Sequence, residues 1–376
     1  MKKTAIITSA LVLMLTGAVS CTKNSPEKTP EIPDIPATDL SSGEAYANCY
    51  IVPSAGTYSF AARHVDGTEI TGIESADWLW STCDNAPDGL VKDVTYANGT
   101  VRFTASAAKG NAVIAAFGKS GNIVWSWHVW LSDVPQHQQL DNGTAFMDRN
   151  LGAESAAAGE GPATYGLKYQ WGRKDPFYGG DRNETSRAFS CADGHVIFNQ
   201  KHNASWKAVE SDGTTGTVEY AISHPTSFIY STDDAVKDWL QTKNSYLWAA
   251  RNTGAKTNYD PCPAGYHVPS DVAWKGVRYD NTFEKDGGKS HVTSDGTEFW
   301  WPLCGTRWGD TDAGKLGYVY LKTDEVEGGQ GIYWQNTTNM AGTNACCFYV
   351  LSGTYVDAGH AMYRAHGCAV RCEYVR

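Results

Sequence analysis

Ile123-Val124-Trp125-Ser126-Trp127-His128-Val129-Trp130-Leu131 places an apolar side chain at every second position from Ile123 to Leu131. Successive side chains of an extended chain point to opposite faces, so Ile123, Trp125, Trp127, Val129 and Leu131 are expected to share one side of a β-sheet. Just upstream, residues 112–117 form a nearly continuous apolar run. Further back, Val101-Arg102-Phe103-Thr104-Ala105 and Gly56-Thr57-Tyr58-Ser59-Phe60 alternate, and Cys49-Tyr50-Ile51-Val52 is a short strand candidate stopped by Pro53. Turn signals separate these runs: Asp66-Gly67, Asn98-Gly99, Lys109-Gly110-Asn111 and Ser120-Gly121-Asn122.

Short strands at this spacing predict an immunoglobulin-like β-sandwich over residues 44–133. Within it Trp125, Trp127 and Trp130 read as core and packing residues rather than a binding stripe. Residues 132–140, with Pro135 and polar side chains, form the boundary. A second domain is expected over residues 138–376, rich in loops. Its helix candidates are short, residues 233–241 and 271–277, the latter with Ser270 as N-cap after Pro269. Brief strands are expected at residues 316–322 and 347–351. A domain with so little regular structure needs buried aromatics and cross-links. Trp171, Trp239, Trp248, Trp274, Trp300, Trp301, Trp308 and Trp334 supply the aromatics. The fold class expected is mainly β with an α+β second half.

The chain opens Met1-Lys2-Lys3, continues with an apolar run over residues 5–19, and reaches Ser20-Cys21. A charged start, a short apolar stretch and small residues before a cut site define a signal peptide, here residues 1–20. The run is too short for a stable spanning helix. Ala18-Val19-Ser20-Cys21 resembles the bacterial lipobox, which implies lipid on Cys21. Residues 21–43 read as a flexible tether. Their first part carries Pro26, Pro30, Pro33 and Pro36 among Glu, Lys and Ser, and cannot bury enough apolar surface to order itself. The predicted localisation is the outer membrane or cell surface, lipid-anchored. A net charge of −10 argues against phosphate-rich partners, nucleic acid included.

Beyond Cys21 the cysteines are Cys49, Cys83, Cys191, Cys262, Cys304, Cys346, Cys347, Cys368 and Cys372, an odd number. In an exported chain they either pair or lie buried as thiols. Their spacing contains neither a CxxC pair nor a Cys/His zinc pattern.

Several segments share an order with a known family. They are Phe146-Met147-Asp148-Arg149-Asn150-Leu151-Gly152, Gly166-Leu167-Lys168-Tyr169-Gln170-Trp171-Gly172-Arg173, Cys262-Pro263-Ala264-Gly265-Tyr266-His267-Val268-Pro269-Ser270 with Trp274, Gly331-Ile332-Tyr333-Trp334, and Val370-Arg371-Cys372. Together they resemble the Fibrobacter succinogenes major paralogous domain, most specifically in the Cys-Pro segment and the terminal Val-Arg-Cys. The resemblance implies a C-type-lectin-like fold whose chain ends are brought together, and a disulfide between Cys262 and Cys372. A sandwich followed by such a domain is similar to surface lipoproteins of gut Bacteroidetes, some of them tied to fimbriae or glycan capture.

The function expected is therefore non-catalytic binding or adhesion, with a glycan or cell-surface protein as partner; a fimbrium-associated structural or tip subunit is the alternative. The tripeptides used by calcium-dependent lectins of this fold do not occur, and Trp334-Gln335-Asn336 is the nearest approach. Asp310 and Asp312 in a Gly-rich loop fall far short of a calcium ligand set, so no metal and no cofactor are predicted. Exposed aromatics beside amides suit sugar rings. Trp308, Trp334 and Asn336 are the candidate ligand contacts. A minor enzyme reading, similar to formylglycine-generating enzymes, would use Cys368 and Cys372 as reactive thiols beside His366, with Arg364 or Arg371 lowering a thiol pKa. Sequence shows no hydrolase or nucleotide motif.

Overall fold

The computed structural model describes residues 36–375 apart from 187–188, 234–236, 326 and 354. The expected signal peptide, Cys21 with its expected lipid, and most of the expected tether lie outside the described residues. The structure is mainly β, with about 39% strand and 7% helix, and residues 37–376 form one compact unit.

The strands expected in the first half are present: Cys49–Val52, Gly56–Ala61, Thr100–Ala105, Gly110–Phe117 and Ile123–Leu131. Ser75–Thr82 and Val91–Ala97 join them. A four-stranded sheet runs Thr38–Asp39, Gly56–Ala61, Thr100–Ala105, Val91–Ala97. A five-stranded sheet runs Val196–Phe198, Ser75–Thr82, Gly110–Phe117, Ile123–Leu131, Cys49–Val52. Between them lies a core containing Phe60, Phe103, Ile114, Trp125, Trp127 and Val129. Alternation holds from Trp125 onward but fails at Ile123. A register shift pairs Ala116 with Trp125 and Phe117 with Ile123, so one extra residue turns Ile123 toward the opposite core.

The five-stranded sheet is covered on both faces. Its second face contributes Leu79, Trp80, Val113, Ala115, Phe117 and Trp130 to a core shared with the second half. This is why Gly110–Phe117 is buried at every position and reads as an apolar run rather than an alternating one. Val196–Phe198, from beyond the predicted boundary, pairs antiparallel with Ser75–Thr82. Polar groups also cross the junction: Asn111 Nδ2 donates to Gly152 O at 2.8 Å, Trp130 Nε1 to Ala153 O at 3.1 Å, and Ser126 Oγ to Asp175 Oδ1 at 2.6 Å. The two predicted domains thus share a sheet and a core.

The second half is assembled from small sheets. Tyr266–His267, Glu373–Tyr374, Ala145–Met147 and His137–Gln139 form one of them, bringing the end of this half beside its beginning. Cys262 and Cys372 are joined by a disulfide spanning 110 residues of sequence. The other described cysteines are thiols, with only Cys83 and Cys346 partly exposed. Asn150 and Arg371, from opposite ends of the domain, meet at 3.1 Å in the core. Indoles brace the loops through donations to distant backbone carbonyls: Trp171 to Gln335, Trp239 to Trp171, Trp248 to Arg173, Trp300 to Lys285 and Trp334 to Tyr169.

The helix expected over 271–277 does not form, and the described residues of 233–241 are not helical. Residues 270–277 make hydrogen-bonded turns, and Gly276, at φ +101°, takes a conformation that ends helical winding. In the described part of 233–241, tertiary contacts override local preference. Asp238 faces Arg364 at 3.2 Å and Trp239 donates to Trp171. The α-helix among the described residues is Val218–Ser223, with Thr217 Oγ1 accepting from Tyr220 N.

Candidate functional site

The three candidate contacts separate sharply. Trp334 is fully buried, and its indole is spent on Tyr169 O. Asn336 is 6% exposed, with Nδ2 donating to Val268 O at 3.0 Å. Both belong to Gln330–Thr338, a strand buried over most of its length, so both are framework residues and not ligand contacts. Trp308 is half-buried and lies at the surface.

Trp308 follows the strand Cys304–Arg307, which pairs antiparallel with Leu316–Val319. The loop between them is closed by Trp308 N donating to Lys315 O at 2.9 Å and Gly314 N to Trp308 O at 2.7 Å. Gly309 N donates to His366 Nδ1 at 2.8 Å. Burial pushes His366 down to about 4, so its imidazole is neutral at physiological pH and free to accept this bond. Gly309 also lies so close to Ala365 that an added Cβ would come within 2.2 Å of backbone; the loop is fixed at its base. Asp310 Oδ1 accepts the Asp312 amide, the part of a turn residue. Among the described residues no three His, Cys, Asp or Glu side chains converge as metal ligands.

A run of rings results. Tyr318, 57% exposed, lies 5.7 Å from Trp308 at an interplanar angle of 75°. Trp308 meets the edge of His366 at 5.1 Å, and His366 meets Tyr363 at 5.2 Å. Lys237 Nζ sits 4.5 Å above the Tyr363 ring. Gly317 carries the indole on its bare α-carbon, since a Cβ there would fall 2.7 Å from Trp308 Nε1. Tyr318 has φ +59°, an uncommon conformation for a bulky residue that costs of order 1–3 kcal/mol and is held by its surroundings. Tyr318 and Tyr363 were missed in the sequence. The first lies at an alternating strand position with no local sign of exposure, and the second is brought to Trp308 only by the fold.

The thiol reading is overturned by geometry. Cys372 is committed to Cys262, and Cys368 is fully buried, which raises its thiol pKa well above the ordinary value. Arg364 is occupied by Asp238, and Arg371 by Asn150 and the Trp300 carbonyl. His128 is buried between Asn111 and Tyr169 and pushed down to about 3 by burial. It is a structural histidine.

No family model matches the chain, and no curated protein or solved structure matches it either.

Proposed function

We propose that this chain is a non-catalytic binding protein of the cell envelope that captures a glycan on the surface built from Trp308 and Tyr318. The observation that carries this reading is the half-buried indole on a loop closed by backbone hydrogen bonds, with a strongly exposed phenol of the adjoining strand set at a steep angle beside it. Rigid aromatic rings offer large contact area at low conformational cost, and their polar tips can bond sugar hydroxyls. The Cys262–Cys372 link, with the beginning and end of the second half paired in one sheet, supports the resemblance to the major paralogous domain and its C-type-lectin-like fold. The two facing sheets of the first half support an immunoglobulin-like reading. The signal peptide and lipidated Cys21 would place the protein at the outer membrane or cell surface.

The fimbrial alternative draws on one feature. Tyr355–Met362 is the outer strand of a three-stranded sheet and could accept a strand from a neighbouring subunit. A register shift against Ala345–Leu351 bends it, and such bends discourage strand addition. Glycan capture is therefore preferred.

A neutral-glycan array tests the proposal. The purified protein is expected to bind a defined set of oligosaccharides, and Trp308→Ala to lower affinity for them at least tenfold with an unchanged melting temperature. Equal binding by both proteins refutes the assignment.

A further inference from the structure

Another cleft lies where the five-stranded sheet meets the chain following Val196–Phe198. Asn199 anchors this chain. Its Nδ2 donates to Trp78 O at 2.9 Å, and its Oδ1 accepts from Lys201 N at 3.1 Å. The anchor sets the turn Gln200–His202 against the sheet, where His202 stacks on Phe117 at 4.2 Å and 17°. Asp77 accepts from His202 Nε2 at 2.8 Å and from Lys201 Nζ at 3.0 Å. The imidazole is thus held on one face by a ring and on one edge by a carboxylate.

Beside it opens a cleft of about 530 Å³, lined by Phe117, Lys201, His202, Lys207 and His224 among other polar and apolar groups. Its volume falls within the usual range for small-molecule sites, about 300–1,000 Å³. Among the described residues no Asp or Glu lines it, although the chain carries 41 Asp and Glu against 31 Lys and Arg. A neighbouring hollow of about 370 Å³ shares Phe117, Lys201 and His202 and adds Lys119, with Glu74 and Asp77 on its far side. Lys207 is fixed at its backbone by the parallel pairing of Lys207–Glu210 with Ser227–Tyr230, while its side chain reaches solvent. Lys119, Lys201 and Lys207 against Glu74 and Asp77 leave a net charge of about +1 across the two hollows, and positive charge on an acidic protein draws anions to that place. Ammonium groups form charge-assisted hydrogen bonds to oxyanions.

We infer that this cleft binds an acidic carbohydrate through a sulfate or carboxylate group, held by Lys207 and by the remaining ammonium donors of Lys201, whose ammonium also pairs with Asp77, with the His202 imidazole, stacked on Phe117, forming an apolar wall for the ring. The inference is independent of the Trp308 surface and would stand if that surface bound nothing.

Calorimetric titration of the whole protein distinguishes these ideas. The probes are a sulfated glycosaminoglycan tetrasaccharide, an unsulfated uronate tetrasaccharide and a neutral tetrasaccharide. The expected result is at least tenfold tighter binding of one or both acidic probes than of the neutral one, weakening as salt is raised. The sulfated probe alone binding tightly identifies a sulfate site; both binding tightly identifies a carboxylate as sufficient. Lys201→Gln with Lys207→Gln is expected to remove at least tenfold of that affinity, with the melting temperature kept, and Trp308→Ala to leave it intact. Equal binding of acidic and neutral probes, full binding by the double variant, or loss of acidic binding in Trp308→Ala would each overturn the inference.

Discussion

A tryptophan's neighbours decide whether it is framework or contact, and Trp308 and Trp334 illustrate both outcomes. In sequence each is an aromatic beside polar residues. Trp334 sits in a strand packed on both sides, so its alternation carries no exposed phase, and its indole bonds a carbonyl of Tyr169. Truncating it should open a cavity: Trp334→Ala is expected to lower stability by roughly 3–5 kcal/mol in chemical denaturation, without selectively removing a ligand. Gly166 shows the opposite case of a legible residue with an illegible reason. Its φ is +66°, and a Cβ there would lie 2.6 Å from Leu151 O, so the glycine opening that segment is required by the backbone. Glu154 was not legible at all. Burial, followed by the nearby charge of Asp84, pushes its carboxyl from 4.5 up to about 7. The folded protein then keeps a proton that the unfolded chain releases between these pH values. Folding is favoured on the acid side, and the contribution is lost as pH rises through about 7. Glu154→Gln should flatten that fall in the stability–pH profile and raise stability at pH 8 by about 2 kcal/mol, allowing for partial exposure.

Elements were legible in proportion to how long and how one-sided they are. Ile123–Leu131 and Thr100–Ala105 announce themselves by alternation. Ser75–Thr82 does not, because a register shift between Trp78 and Trp80 breaks its phase. Val91–Ala97 does not, because most of it is exposed and polar. Strands as short as Tyr266–His267 and Glu373–Tyr374 have no signal of their own and exist because they pair with each other. Of the expected helices, the one over 271–277 gives way to turns ending at Gly276, and in the described part of 233–241 Asp238 and Trp239 are held by tertiary partners. At this scale the Cys262–Cys372 disulfide matters most, since it staples a sheet made of two- and three-residue strands. Closing a loop of 110 residues removes about 4–5 kcal/mol of unfolded-chain entropy in the simple chain model. Replacing both cysteines by serine is expected to lower unfolding free energy by roughly that amount, less any relaxation of the unfolded state. A double variant as stable as the parent would show that the sheet needs no staple.

For the molecule as a whole, sequence conveyed the β-rich class, and the family resemblance implied the Cys262–Cys372 link. It did not convey that the two halves share a five-stranded sheet, because the Val196–Phe198 pairing joins residues more than a hundred positions apart. Sharing that sheet makes a rigid platform of the two halves, and rigid platforms suit recognition because little ordering cost remains at binding. The proposed role is accordingly that of a fixed surface that holds a sugar and leaves it unchanged. Hydroxyl-radical footprinting of the protein, free and with a glycan selected from the array, tests this most directly. The account predicts reduced oxidation at Trp308 and Tyr318, with the glycan recovered intact. Unchanged oxidation at Trp308 and Tyr318, or a cleaved glycan, would contradict it.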